Sequence, residues 1–180
     1  MAVAAALAAV LGLFKLKLPH LLYGGSISLH ALPILVVAIR HGFRRGAMVG
    51  VAYSAVNFAL GPFFLHPLQV LLDYPLAFGS LAVVGLARSS MPTGVQVAFA
   101  TRLLMASAVL MAGAVRFGMH FASGMLYFAH LAPLGTPVWQ FSLIYNASYV
   151  LPETLICLII LQLPLIQPLV RPAAEPVNGS

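Results

Sequence analysis

Only three acidic residues occur among 180, Asp73, Glu153 and Glu175, and the first two fall inside long apolar runs. A carboxylate in hydrocarbon is costly and persists where it pairs or acts, so both are functional candidates. Asp73 is followed by Tyr74. Asn146, Tyr149 and Glu153 are spaced three and four residues apart, and Arg116 and His120 four apart, so each set shares one helix face. Aromatic residues recur near the same level of the chain's helices: Tyr53, Tyr74, Phe128, Trp139, Phe141, Tyr145 and Tyr149. An acid among rings suits a flat cation, because ring faces attract positive charge and a carboxylate orients it. A plainer reading pairs Asp73 or Glu153 with Arg102 or Arg116, makes His120 an interior histidine, and assigns many of the rings to an interfacial belt.

The missing motifs narrow the chemistry. There is no G-x-x-x-x-G-K-[ST], and the only lysines are Lys15 and Lys17, so the chain does not hydrolyse ATP and any ATP-driven work needs partners. There is no Cys/His metal spacing, no H-E-x-x-H and no G-x-S-x-G; His120 with Ser123 is the nearest approach to a hydrolytic pair. The reading is therefore a binding or transport protein with no enzyme activity, cofactor or metal. Cys157 is the single cysteine, in an apolar run, which excludes an intrachain disulfide and predicts a buried thiol. The net charge of +6 comes from nine scattered Lys and Arg, without the dense patch that binds nucleic acid.

The elements that must position these residues are membrane helices. The chain is 62% hydrophobic and 7% charged, with mean hydropathy +1.02, so its solvent is the lipid bilayer. Apolar runs predict six spans over Met1–Phe14, Ile27–Ile39, Gly46–Leu65, Pro67–Leu86, Val95–Met119 and Val138–Leu169. They form one all-α transmembrane domain over residues 1–171, with a disordered tail over 172–180. The first run has no basic segment before it, so it is read as a span and not a cleaved signal. Arg40, Arg44, Arg45, Arg88 and Arg171 outvote Lys15 and Lys17, so both termini are predicted on the cytoplasmic side of the cell membrane. Gly42, Gly46 and Gly50 share a helix face, as do Ala2 and Ala6; both sets permit close helix contact, within the bundle for the glycines.

Several motifs together resemble the ThiT (YuaJ) family, the thiamine-binding S components of energy-coupling factor (ECF) transporters. They are Gly24-Gly25-Ser26-Ile27-Ser28-Leu29 leading to Leu32-Pro33, Arg40-His41-Gly42, Asp73-Tyr74-Pro75, Arg116 with His120-Phe121 and Gly124, and Tyr145-Asn146-Ala147-Ser148-Tyr149 with Pro152. The resemblance runs nearly ungapped from the first span to the sixth. It implies a six-helix subunit that holds thiamine near the outer face, under the loop between the first two spans, and docks on a transmembrane coupling subunit with two ATPase subunits. By the same resemblance Asp73, Tyr74, His120 and Asn146 contact the vitamin, Phe128, Phe141, Tyr53 and Tyr149 line its pocket, and Ala2 and Ala6 form the docking pair. Aspartate at 73 replaces the more familiar glutamate, Tyr53 stands where a tryptophan can occur, and His30 stands where some members carry glutamate. An alternative outside that class is a stand-alone proton-coupled carrier for thiamine or a related pyrimidine or thiazole compound, working through His120, Asp73 and Glu153. The inverted repeat common in such carriers is not apparent here.

Overall fold

A computed structural model describes residues 1–21, 24–61, 63–91 and 99–170. The tail at 172–180, Arg171 and the expected start of the fifth span at Val95 lie outside the described residues. Among the described residues six main helices follow one another: α1 (Ala2–Leu13), α2 (Ala31–His41), α3 (Phe43–Leu60), α4 (Pro67–Ser90), α5 (Phe99–Tyr127) and α6 (Val138–Gln162), with a last turn α7 (Gln167–Val170). Among the described residues the only β pairing is one bridge between Leu16 and Ile27. Helices α4, α5 and α6 span 24, 29 and 25 residues and are long and apolar enough to cross a membrane; at ~1.5 Å per residue each exceeds a hydrocarbon core of ~30 Å. Large apolar side chains on their outer faces, such as Leu103, Leu126, Leu151 and Ile159, are exposed, as a lipid-facing surface requires. The chain is an all-α membrane protein.

The helix boundaries differ from the sequence expectation where local chemistry intervenes. Helix α2 starts at Ala31 and not Ile27, because Ile27 exchanges two 2.9 Å backbone hydrogen bonds with Leu16. The expected Arg40–Arg45 turn contracts to the single residue Gly42, whose φ of +89° suits glycine and whose N–H bonds Ala38 O at 2.8 Å. Helix α5 continues to Tyr127, well beyond Met119, carrying His120 and Ser123 as buried helical residues. Helix α6 stops at Gln162 because Leu163 precedes Pro164 and is forced extended, at ψ 137°.

Helix α4 is not uniform. Pro75 has no N–H to return to Leu71, and the ladder widens into a π turn over Leu72–Leu76, closed by Ala77 N–H on Leu72 O. That turn carries Asp73 and Tyr74 and re-aims them relative to a straight helix.

Glycine lets α2, α3 and α4 meet closely. A Cβ on Gly46 would lie 2.9 Å from Ala38 Cα, one on Gly50 would strike the Phe78 carbonyl, and one on Gly85 would lie 2.7 Å from Ala38 O. The glycines thus pack within the bundle, as the sequence suggested. Gly12 near the end of α1 meets the Tyr53 ring, and Ala2 stands at the other end of the same helix. Around this junction Ile34, Leu35, Ile39, Val49 and Val84 are fully buried.

Candidate functional site

At the end opposite the Gly42 turn the helices part around a cavity. Asp73 is its hub. Its Oδ1 lies 3.0 Å from His120 Nδ1, and its Oδ2 accepts from the Ser123 hydroxyl at 2.8 Å and the Gln69 side-chain amide at 2.7 Å. No arginine reaches it among the described ion pairs, so the plainer reading fails for Asp73. His120 spends Nδ1 on the carboxylate, and its buried Nε2 has no hydrogen-bond partner among the described residues. Because His120 lines the cavity, that nitrogen is a polar group available to a ligand.

Helices α5 and α6 bring the next partners. Gly124 is required here because a Cβ would strike Ser142 Oγ. Asn146 donates to Ser142 O at 2.9 Å and His120 O at 3.3 Å, and accepts from the Tyr149 hydroxyl at 2.8 Å. Tyr74 accepts the Phe63 N–H at 3.0 Å, and Phe63 stacks on Phe128 at 5.5 Å. All eight residues singled out as a ligand site, Tyr53, Asp73, Tyr74, His120, Phe128, Phe141, Asn146 and Tyr149, line this one cavity, and Tyr145 joins them. Trp139 does not: in the first turn of α6 it is 54% exposed and outside the wall, a position that suits an interfacial indole.

A second charge group reaches the same wall through Arg116 and His30, which line the cavity with Glu153 behind them. Glu153, fully buried, receives Arg116 Nη1 at 3.0 Å and Nη2 at 3.4 Å, and His30 Nε2 lies 3.2 Å from Glu153 Oε1. The plainer reading therefore holds for Glu153, which pairs with Arg116 and does not line the cavity. His30, where the family resemblance raised a mismatch, stacks on Tyr53 at 4.8 Å and takes Ser28 Oγ on Nδ1 at 2.5 Å. The loop before α2 is tied to α6 by Gly25 N–H to the Tyr145 hydroxyl at 3.4 Å and by His20 Nε2 to Ser148 Oγ at 2.8 Å.

The sequence reading missed Gln69, Ser142 and the role of Ser123. Gln69 stands four residues before Asp73, the one signal that could have placed it. Ser123 donates to Asp73 and not to His120, so the hydrolytic pair is not assembled. Ala2 and Ala6 are exposed on α1, whereas Ala8 and Gly12 of the same helix face inward. Among the described residues no three His, Cys, Asp or Glu cluster to hold a metal ion.

A helical membrane protein with a ring-walled, hydrogen-bonded cavity at one end of its bundle offers a place for a small solute, and comparisons with known proteins give the class: a transport protein. Residues 1–170 match the family model Thiamine transporter protein (Thia_YuaJ), and the chain belongs to that family. It is 38% identical over 155 residues to the thiamine transporter ThiT of Bacillus subtilis (strain 168), covering 84% of this chain and 79% of that one. It is 30% identical over 166 residues to the thiamine transporter ThiT of Lacticaseibacillus paracasei, covering 84% and 81%. A solved structure of ThiT from Listeria monocytogenes superposes with a TM-score of 0.77 at 27% identity, over 89% of this chain and 87% of that one.

Proposed function

We propose that the cavity captures thiamine at the outer face of the cell membrane, with Asp73 as the anionic anchor. The observation that carries this is a carboxylate held by Gln69, His120 and Ser123, with no arginine in direct contact with it among the described ion pairs, inside a wall rich in rings. Thiamine is a flat two-ring cation, so rings and carboxylate complement both its shape and its charge. Asp73→Asn keeps the size and removes the charge; calorimetric titration should show thiamine affinity lower by roughly 30- to 150-fold, about 2–3 kcal/mol, with the thermal midpoint nearly unchanged. Wild-type affinity in that variant would sink the anchor.

The same reading makes the chain the S component of an ECF transporter, crossing the plasma membrane several times with both termini cytoplasmic and working with a transmembrane coupling subunit and two ATPase subunits. Support comes from family membership, from the missing phosphate-binding loop, from the exposed Ala2–Ala6 face of α1 and from the Arg40–Arg45 and Arg88 charges at the end away from the cavity. Purified chain alone in proteoliposomes should bind thiamine without accumulating it. Accumulation driven by a proton gradient would favour the stand-alone carrier instead.

A further inference from the structure

We propose that Gln69 is the positioning residue of the Asp73 carboxylate, and that it ties the carboxylate's orientation to the segment leading into α4, so setting how strongly the cavity prefers a cation to a neutral ligand of the same shape. This rests on the reading of Asp73 as the anchor.

Gln69 is 1% exposed, and both ends of its amide are in use. Its Oε1 accepts Leu65 N–H at 3.1 Å while its Nε2 donates to Asp73 Oδ2 at 2.7 Å. The Leu65 N–H leaves no choice of amide orientation: the flipped form would set two donors against each other at Leu65 and two acceptors at Asp73. A carboxylate held only by His120 and Ser123 would be held from α5 alone and could turn about its last torsion toward that helix. Gln69 grips it from α4's own first turn, on the other side of the π turn that carries Asp73. The same segment ahead of α4 supplies Phe63, whose N–H rests on Tyr74 and whose ring lies on Phe128 of the cavity wall. Wall and anchor are thereby one hydrogen-bonded unit with Gln69 at its joint.

Gln69→Leu removes both hydrogen-bonding ends at similar volume, and Gln69→Met does so at similar length. Each should weaken thiamine binding about tenfold, the loss of one donor to a charged group, yet weaken binding of a neutral thiophene isostere of thiamine less than about twofold. In the Asp73→Asn background the Gln69→Leu loss should vanish, because the charge it positions is gone. Equal weakening of the cationic and neutral ligands, or the same loss in the Asp73→Asn background, would overturn the proposal; so would failure of both single variants to fold, which would make Gln69 a structural residue only. Weak binding by Asp73→Asn with unchanged binding by Gln69→Leu would remove the role of Gln69 and leave the anchor standing. Normal binding by Asp73→Asn would remove the anchor itself.

Discussion

The two ends of the helix bundle are built on opposite principles. At the Gly42 end α2, α3 and α4 meet backbone to backbone, with Gly46 on Ala38, Gly50 on the Phe78 carbonyl and Gly85 against Ala38 and Phe43. The polar contacts there are peripheral, such as Arg88 Nε to Arg40 O at 3.1 Å and Arg40 Nη1 to Pro168 O at 3.3 Å. At the Asp73 end the helices are held apart by side chains that hydrogen-bond around a space. Helices with small residues close up until dispersion contacts are complete, so a cavity survives only where larger polar groups satisfy one another across the gap. A clamp at one end lets the other stay open.

Three substitutions would break or sharpen that contrast. The largest effect is expected from Glu153→Gln, which leaves the buried Arg116 guanidinium without its countercharge. Uncompensated burial should cost about 3–5 kcal/mol, read as a lower thermal midpoint without ligand; an unchanged midpoint would mean the pair carries no structural weight. Next is Gly50→Leu at the clamped end, where the new side chain meets backbone that cannot step aside. It should destabilise by about 3 kcal/mol, while folded survivors bind thiamine normally. If affinity fell in step with stability, the two ends would be one cooperative unit and the contrast would fail. The smallest effect is expected from Ala6→Trp on the exposed face of α1. Stability of the isolated chain should move by less than about 0.5 kcal/mol and thiamine affinity should hold, while uptake by cells carrying the coupling subunits is lost. Retained uptake would remove Ala6 from the docking face.

Much of this was readable from residue types alone. Apolar run lengths announced membrane helices, because a bilayer leaves a backbone few other ways to satisfy its hydrogen bonds. Two acids inside apolar runs, with His120 and Asn146 at helical spacings from Arg116 and Tyr149, announced the polar faces; the cavity wall contains all eight residues named from sequence and family resemblance. Trp139 took the plainer of the two readings, an exposed interfacial ring outside the wall, because a helix face continues beyond a cavity and a periodicity does not say where the wall ends.

Sequence by itself determined which side chains could not be left in lipid, since the cost of burying a charge is a property of the residue. It could not say which partner each charge would take. Asp73 and Glu153 look alike in sequence, yet one is held by Gln69, His120 and Ser123 while the other is closed by Arg116 with His30 beside it. Tertiary structure decided that difference: the Pro75 π turn re-aims α4, the Gly124–Ser142 contact sets how closely α5 approaches α6, and distance across helices selects the pair. Coulomb and hydrogen-bond energies fall off within a few ångströms, so partner choice waits on packing that no single helix encodes.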